Sequence, residues 1–124
     1  AFVPGSESVA AVSFEEMAVN AGLTPGGSYM GESYDAAALI ALSMQASGSA
    51  ERSDVATKML DVANAPGTKI MPGELAKGLK ILADGGEIDY VGATGVEFND
   101  IGEVYGSYKE LEIKGGEYTL ITVH

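Results

Sequence analysis

The side chains with chemistry to offer in this chain are carboxylates and tyrosines. Near-neighbour carboxylates occur at Glu15/Glu16, Asp54/Asp61, Glu87/Asp89 and Asp100/Glu103. Acid–base catalysis needs two carboxylates in unlike environments facing one cleft. All these pairs fall in polar loops or on polar helix faces, so they read as solvated surface, and no catalytic residue is assigned. His124 is the only histidine and the last residue. A catalytic triad would need it held by packing and by an orienting carboxylate, whereas a chain end reads as frayed. There is no cysteine, which removes thiolate chemistry, disulfides and Cys-based metal sites. With one histidine besides, no metal ligand and no cofactor is assigned. The run Phe98-Asn99-Asp100-Ile101-Gly102-Glu103 lacks the spacing of a calcium loop and reads as a turn between strands. Gly22 to Gly31 is glycine-rich but fits neither a dinucleotide fingerprint nor a phosphate loop, and reads as a flexible connection.

Tyr29, Met30, Tyr34, Tyr90, Tyr105 and Tyr108 carry the binding signal. Tyrosine joins an apolar body to a polar tip and suits small-ligand pockets. Tyr29 and Met30 stand just before an apolar helix, where a side chain projects past a helix end. Placement in the core or on a plain surface is the competing reading for each.

The elements that must position these residues are legible from spacing. Ala1 to Gly5 reads as the end of a strand running into a turn. Ser13-Phe14-Glu15-Glu16 matches a capping box, with Phe14, Met17, Ala18 and Ala21 at helical spacing. That helix could also start near Ser6 or Ser8. Residues 33 to 48 read as one helix with no charge after its first turn: Ser33 as cap, Asp35 at the positive end of the dipole, Gly48 as stop. Apolar residues occur on nearly every face, which calls for cover on most sides. A third helix is expected over about Ser53 to Asn64, with Val55, Met59, Leu60 and Ala63 inward. A fourth runs over about Gly73 to Asp84, with a Leu75, Leu79, Leu82 stripe. The period then changes. Val96 and Phe98 alternate with Glu97, and Leu111 and Ile113 alternate with Glu110, Glu112 and Lys114. Gly115-Gly116 makes a hairpin with Glu117 to Val123. Four helices followed by three or four short strands give an α/β class, locally α+β. So thin a sheet for so many apolar helical faces favours a partner surface outside this sequence.

Composition narrows the function classes. The 124 residues suit a single domain and the 46% hydrophobic share argues against disorder. The net charge is −11, and residues 1–51 hold six acids and no Lys or Arg. Phosphate backbones and anionic membranes would be repelled, so no nucleic-acid partner is expected. The first residue is Ala, which reads as a mature, trimmed or excised chain.

Three ordered segments resemble one family. They are Tyr34-Asp35-Ala36-Ala37-Ala38-Leu39-Ile40-Ala41-Leu42; Pro72-Gly73-Glu74-Leu75-Ala76-Lys77 with Gly85-Gly86-Glu87-Ile88-Asp89-Tyr90-Val91-Gly92-Ala93-Thr94-Gly95; and Val96-Glu97-Phe98-Asn99-Asp100-Ile101-Gly102-Glu103-Val104. Together they resemble the carboxyl-terminal part of branched-chain amino-acid type solute-binding proteins of ABC importers, which have the type I periplasmic binding fold. The resemblance implies one partial domain over residues 1–124: the end of a second lobe plus strands returning to the hinge, with an amino-terminal lobe missing. It implies a periplasmic protein that binds an amino acid or a similar small polar metabolite between lobes, docks on a membrane permease and catalyses nothing. A fragment of this kind is expected not to bind ligand alone. In the family, the loop before the Tyr-Asp-Ala helix contributes to the cleft, so the resemblance marks Tyr29, Met30, Gly31 and Tyr34 as ligand-binding candidates. Relatives carry a bulky residue where Gly31 stands, which shifts that role to Tyr29 or Met30. An uncovered helix would also favour a homodimer through exposed apolar surface. Two alternatives remain: a small-ligand sensor or interaction domain without a transport role, and a small hydrolase, which lacks a nucleophile motif.

Overall fold

The computed structural model describes residues 1–124 as four helices and five strands. The chain begins with β1 (Phe2–Pro4), α1 (Val9–Asn20), α2 (Met30–Ser47) and α3 (Arg52–Ala63). It continues with β2 (Thr68–Ile70), α4 (Leu75–Ala83), β3 (Ile88–Tyr90), β4 (Tyr108–Lys114) and β5 (Glu117–Val123). The class is mixed α and β, but the strands do not simply follow the helices. β2 and β3 are parallel neighbours joined through α4, with Thr68 beside Ile88 and Ile70 beside Tyr90. At three residues each, they are too short to display a period of two. Val96 to Phe98 forms no strand; only an isolated bridge from Phe98 to Val104 remains.

Helix starts follow local chemistry. Ser8, not Ser13, caps α1: its Oγ accepts the Ala11 N–H at 3.2 Å. The Ser13 box therefore lies inside the helix. α2 starts three residues before Ser33, from Tyr29 in the left-handed region at φ 63°. Ser33 is already in its first turn and donates its N–H to the Tyr29 carbonyl at 3.0 Å. Gly48 ends α2 at φ 65°, as expected of a glycine stop. Glu74 precedes α4 and accepts the Met71 N–H at 2.9 Å. That bond, aided by Lys77, holds its carboxyl below the usual carboxylate range.

α2 lies against the parallel pair with α3 and α4 beside it. Leu39 and Leu42 of α2, Val62 and Ala63 of α3, Ile70 of β2 and Ile88 and Tyr90 of β3 share one core. Gly78 lets α4 approach: a Cβ there would lie 2.9 Å from Leu42 Cδ2. On α3 the buried stripe takes in Val62, while Leu60 is 42% exposed. The spacing Val55, Met59, Val62 is one true helical face, and Leu60 falls beside it. The other face of α2 has no cover, and Ile40 and Met44 are exposed.

The remaining strands form a second sheet in the order β1-β4-β5, antiparallel throughout. Gly115 and Gly116 turn the hairpin at φ 60° and 87°, the left-handed pair a tight primed turn demands. The chain end is not frayed. The His124 and Tyr108 backbones exchange two hydrogen bonds, of 2.8 and 3.0 Å, and the imidazole Nε2 lies 2.9 Å from Glu110 Oε2.

Candidate ligand cleft

The candidate site grows from one buried carboxylate. Asp35 sits in the second turn of α2 and is 3% exposed. Its Oδ1 accepts the Tyr90 hydroxyl and the Ala93 N–H, each at 2.8 Å. Its Oδ2 accepts the Thr94 N–H at 2.8 Å and the Thr94 hydroxyl at 2.7 Å. Charge-assisted bonds are the strong ones, and four of them satisfy the buried carboxylate. Gly92, at φ 63°, makes this possible, because a Cβ there would run into the Asp35 carboxylate. Burial, then the Asp35 charge and hydrogen bond, push the Tyr90 phenol far above its ordinary value. Asp35 thus acts well beyond any helix-dipole role: it ties the loop after β3 to the amino end of α2.

That loop is one wall of a cleft of about 610 Å³. Ala93 and Thr94 line it beside Met30, Gly31 and Glu32 at the start of α2. Ala11, Phe14 and Ala18 of α1 continue the wall. Across the gap stands the second sheet. Val3 pairs with Lys109, Leu111 follows at i+2, and Ile113 pairs with Tyr118, so these residues share one face. Val3, Lys109, Leu111 and Tyr118 line the cleft from it. Tyr105, Tyr108 and Pro25 to Tyr29 also line it. Lys109 Nζ reaches over to Glu15 Oε1 at 3.9 Å.

Of the four sequence candidates, the structure brings Tyr29, Met30 and Gly31 together on this cleft. Tyr29 is 60% exposed there. Gly31 packs on the opposite loop, where a Cβ would lie 3.2 Å from Thr94 Cγ2 and 3.3 Å from Ala93 Cβ. A bulky residue in its place would displace that loop. Tyr34 does not line the cleft. Its ring packs on Phe14 at 5.3 Å between centroids, and its hydroxyl accepts the Gly73 N–H at 2.9 Å. Of the other three named tyrosines, Tyr90 is in the core, while Tyr105 and Tyr108 do line the cleft.

Sequence reasoning missed Asp35, Thr94, Lys109 and Tyr118. The available signal for Asp35 was its place as the last charge before the long uncharged run of α2; for Lys109 and Tyr118 it was the apolar alternation of the hairpin. Among the carboxylate pairs, Asp89 is 8% exposed within β3 instead of in a polar loop. No three His, Asp or Glu side chains come together as a metal site. The turn at Asn99 spends its side-chain oxygen on the Ile101 and Glu103 N–H groups. No helix is long and apolar enough to cross a membrane. Neither protein-family models nor curated proteins nor solved structures gave a match to the chain.

The arrangement can hold a small molecule. The volume falls in the range of small-ligand pockets, about 300–1,000 Å³. No side chain caps α2, which leaves its first N–H groups without a side-chain acceptor. Tyrosine rings supply apolar area, and Lys109, Glu15 and Glu32 supply charge.

Proposed function

We propose that this chain carries the ligand-binding surface of a solute-binding protein of an ABC importer. Its ligand is an amino acid or a similar small polar metabolite, and it performs no catalysis. The observation that carries the reading is the cleft at the amino end of α2, the region where the resemblance puts the ligand. Three things support it. Tyr29, Met30 and Gly31 all line the cleft. The uncapped amino end of an 18-residue helix suits a carboxylate. The β2-α4-β3 unit is a parallel crossover, the building block of α/β lobes.

In this reading a second lobe closes over the open side of the cleft, and the closed protein docks on a membrane permease outside the cytoplasm. Asp35 is a positioning residue, since it holds Thr94 and Ala93 in the cleft wall without lining the cleft itself. The size of the cleft supports binding by the chain alone, where the sequence reading expected none; that binding is weak, with a Kd on the order of millimolar, because half of the ligand's surroundings come from elsewhere. Calorimetry and thermal shift against a panel of amino acids, amides and small carboxylic acids test the reading. Heat of binding with at least one class supports it, and silence across the whole panel overturns it.

A further inference from the structure

The β1-β4-β5 sheet has two unlike edges. β1 is three residues long and ends in Pro4, so it offers little to another strand. β5 is seven residues long and carries no Lys, Arg, Pro or Gly. From Tyr118 to Val123 it has no charge at all, in a chain of net charge −11. Short strands, prolines and charges keep sheet edges apart, whereas uncharged runs rich in β-branched residues bring them together.

The hairpin fixes which backbone groups of β5 are unspent. Glu117 faces Lys114 across the two-residue turn, and such a closing pair exchanges its backbone hydrogen bonds. By alternation Thr119 also bonds to β4, while the N–H and C=O of Tyr118 and Leu120 point away from it. The bulge comes later: Leu120 pairs with Leu111 and Thr122 with Glu110, so Ile121 is the extra residue. Tyr118 and Leu120 also share the apolar face with Leu111 and Ile113, and both are exposed.

We propose that this edge is an interface between two copies of the chain, in which β5 pairs antiparallel with the partner's β5 about a two-fold axis at Thr119. Tyr118 then pairs with the partner's Leu120, and Leu120 with the partner's Tyr118, so every outward N–H and C=O of these two residues is used. The side chains match the same register. Ile113, Tyr118, the partner's Leu120 and the partner's Leu111 form an apolar row across the joined sheets, and the symmetry makes a second row. On the polar face Thr119 meets its own copy, a favourable cross-strand pair. Glu117, the one charge on β5, faces the partner's Ile121, so no like charges stand directly opposite each other. Moving the axis to Leu120 would set Tyr118 against the partner's Thr122, beyond the bulge and on the polar face. The bare edge occurs once per chain, so pairing closes at two copies and does not grow into a fibre. The interface needs no ligand and is independent of the solute-binding reading.

Sedimentation velocity and amide hydrogen exchange on the 124-residue chain test it. A monomer–dimer equilibrium with a Kd on the order of tens of micromolar is expected. The Tyr118 and Leu120 amides are expected to exchange more slowly as concentration rises. Thr119→Lys puts like charges at the axis, yet within its own hairpin that position faces Glu112, so the fold is kept. It is expected to weaken dimerisation about tenfold or more. Thr122→Lys makes the same charge change opposite Glu110, outside the paired stretch, and is expected to leave dimerisation unchanged. A chain that stays monomeric up to about 1 mM, growth beyond the dimer, or equal effects of the two substitutions overturns the proposal. If either variant unfolds, the native chain still decides: exchange at Tyr118 and Leu120 that does not change between monomer and dimer overturns it, and slowed exchange at both supports it.

Discussion

Asp35 accepts four hydrogen bonds almost out of reach of water, and three of them come from the two residues at the cleft wall. Asp35→Asn would replace an acceptor oxygen by an NH2 group facing donors. It is expected to cost about 2–4 kcal/mol in urea unfolding, since a buried network loses its charge and gains a mismatched donor. Tyr90→Phe removes a single donor and is expected to cost about 1.5–3 kcal/mol. The Tyr90 phenol also gives a pH signature. Its folded pKa is raised above the unfolded value of about 10. That contribution is fully present below about pH 10 and is lost as pH rises beyond it toward the folded value. The urea midpoint of the native sequence is expected to fall above about pH 10, and Tyr90→Phe is expected to fall less; equal falls would contradict the assignment. None of this was legible in the sequence. The spacing of Asp35 shows only where it lies on its helix, while its burial depends on a loop nearly 60 residues later in the chain.

Elements were far more legible than contacts. Each expected helix exists, because apolar spacing and glycine stops are local signals. The hairpin exists because Gly115-Gly116 sits between alternating runs. Boundaries failed where two local signals competed. Both Ser8 and Ser13 could cap α1, and the structure uses Ser8. Ser8→Ala is therefore expected to cost about 1 kcal/mol, whereas the same change at Ser13 should leave the cap intact; chemical denaturation of the two variants compares them directly. The short parallel strands were invisible for a different reason. A parallel pair is defined by partners separated along the chain by a helix, and Thr68–Ile70 and Ile88–Tyr90 carry too few residues to announce a sheet. Missing them made the chain look like helices followed by strands.

At the scale of the molecule, the two sheets serve unequal interiors. Ile70, Ile88 and Tyr90 of the parallel pair are buried in the core with α2, α3 and α4, whereas the β1-β4-β5 sheet presents an apolar face across an open cleft. Ile113 and Tyr118 on that face are 65% and 68% exposed, and Ile40 and Met44 of α2 are exposed as well. Exposed Ile40 and Met44 are compatible with the proposal that a surface outside this chain covers α2. Self-association at tens of micromolar is expected from sedimentation velocity, opposed but not prevented by the charge of −11. Ile113→Lys is expected to shift it toward monomer, and a native chain that sediments as a monomer at every concentration would contradict this. The central claim is the ligand cleft, and amide shift mapping during an amino-acid titration tests it most directly. Saturable shifts are expected to cluster at residues 29–32, 93–94 and 104–111, which line the cleft. Saturable shifts confined to other parts of the chain, or none with any amino acid, would contradict it.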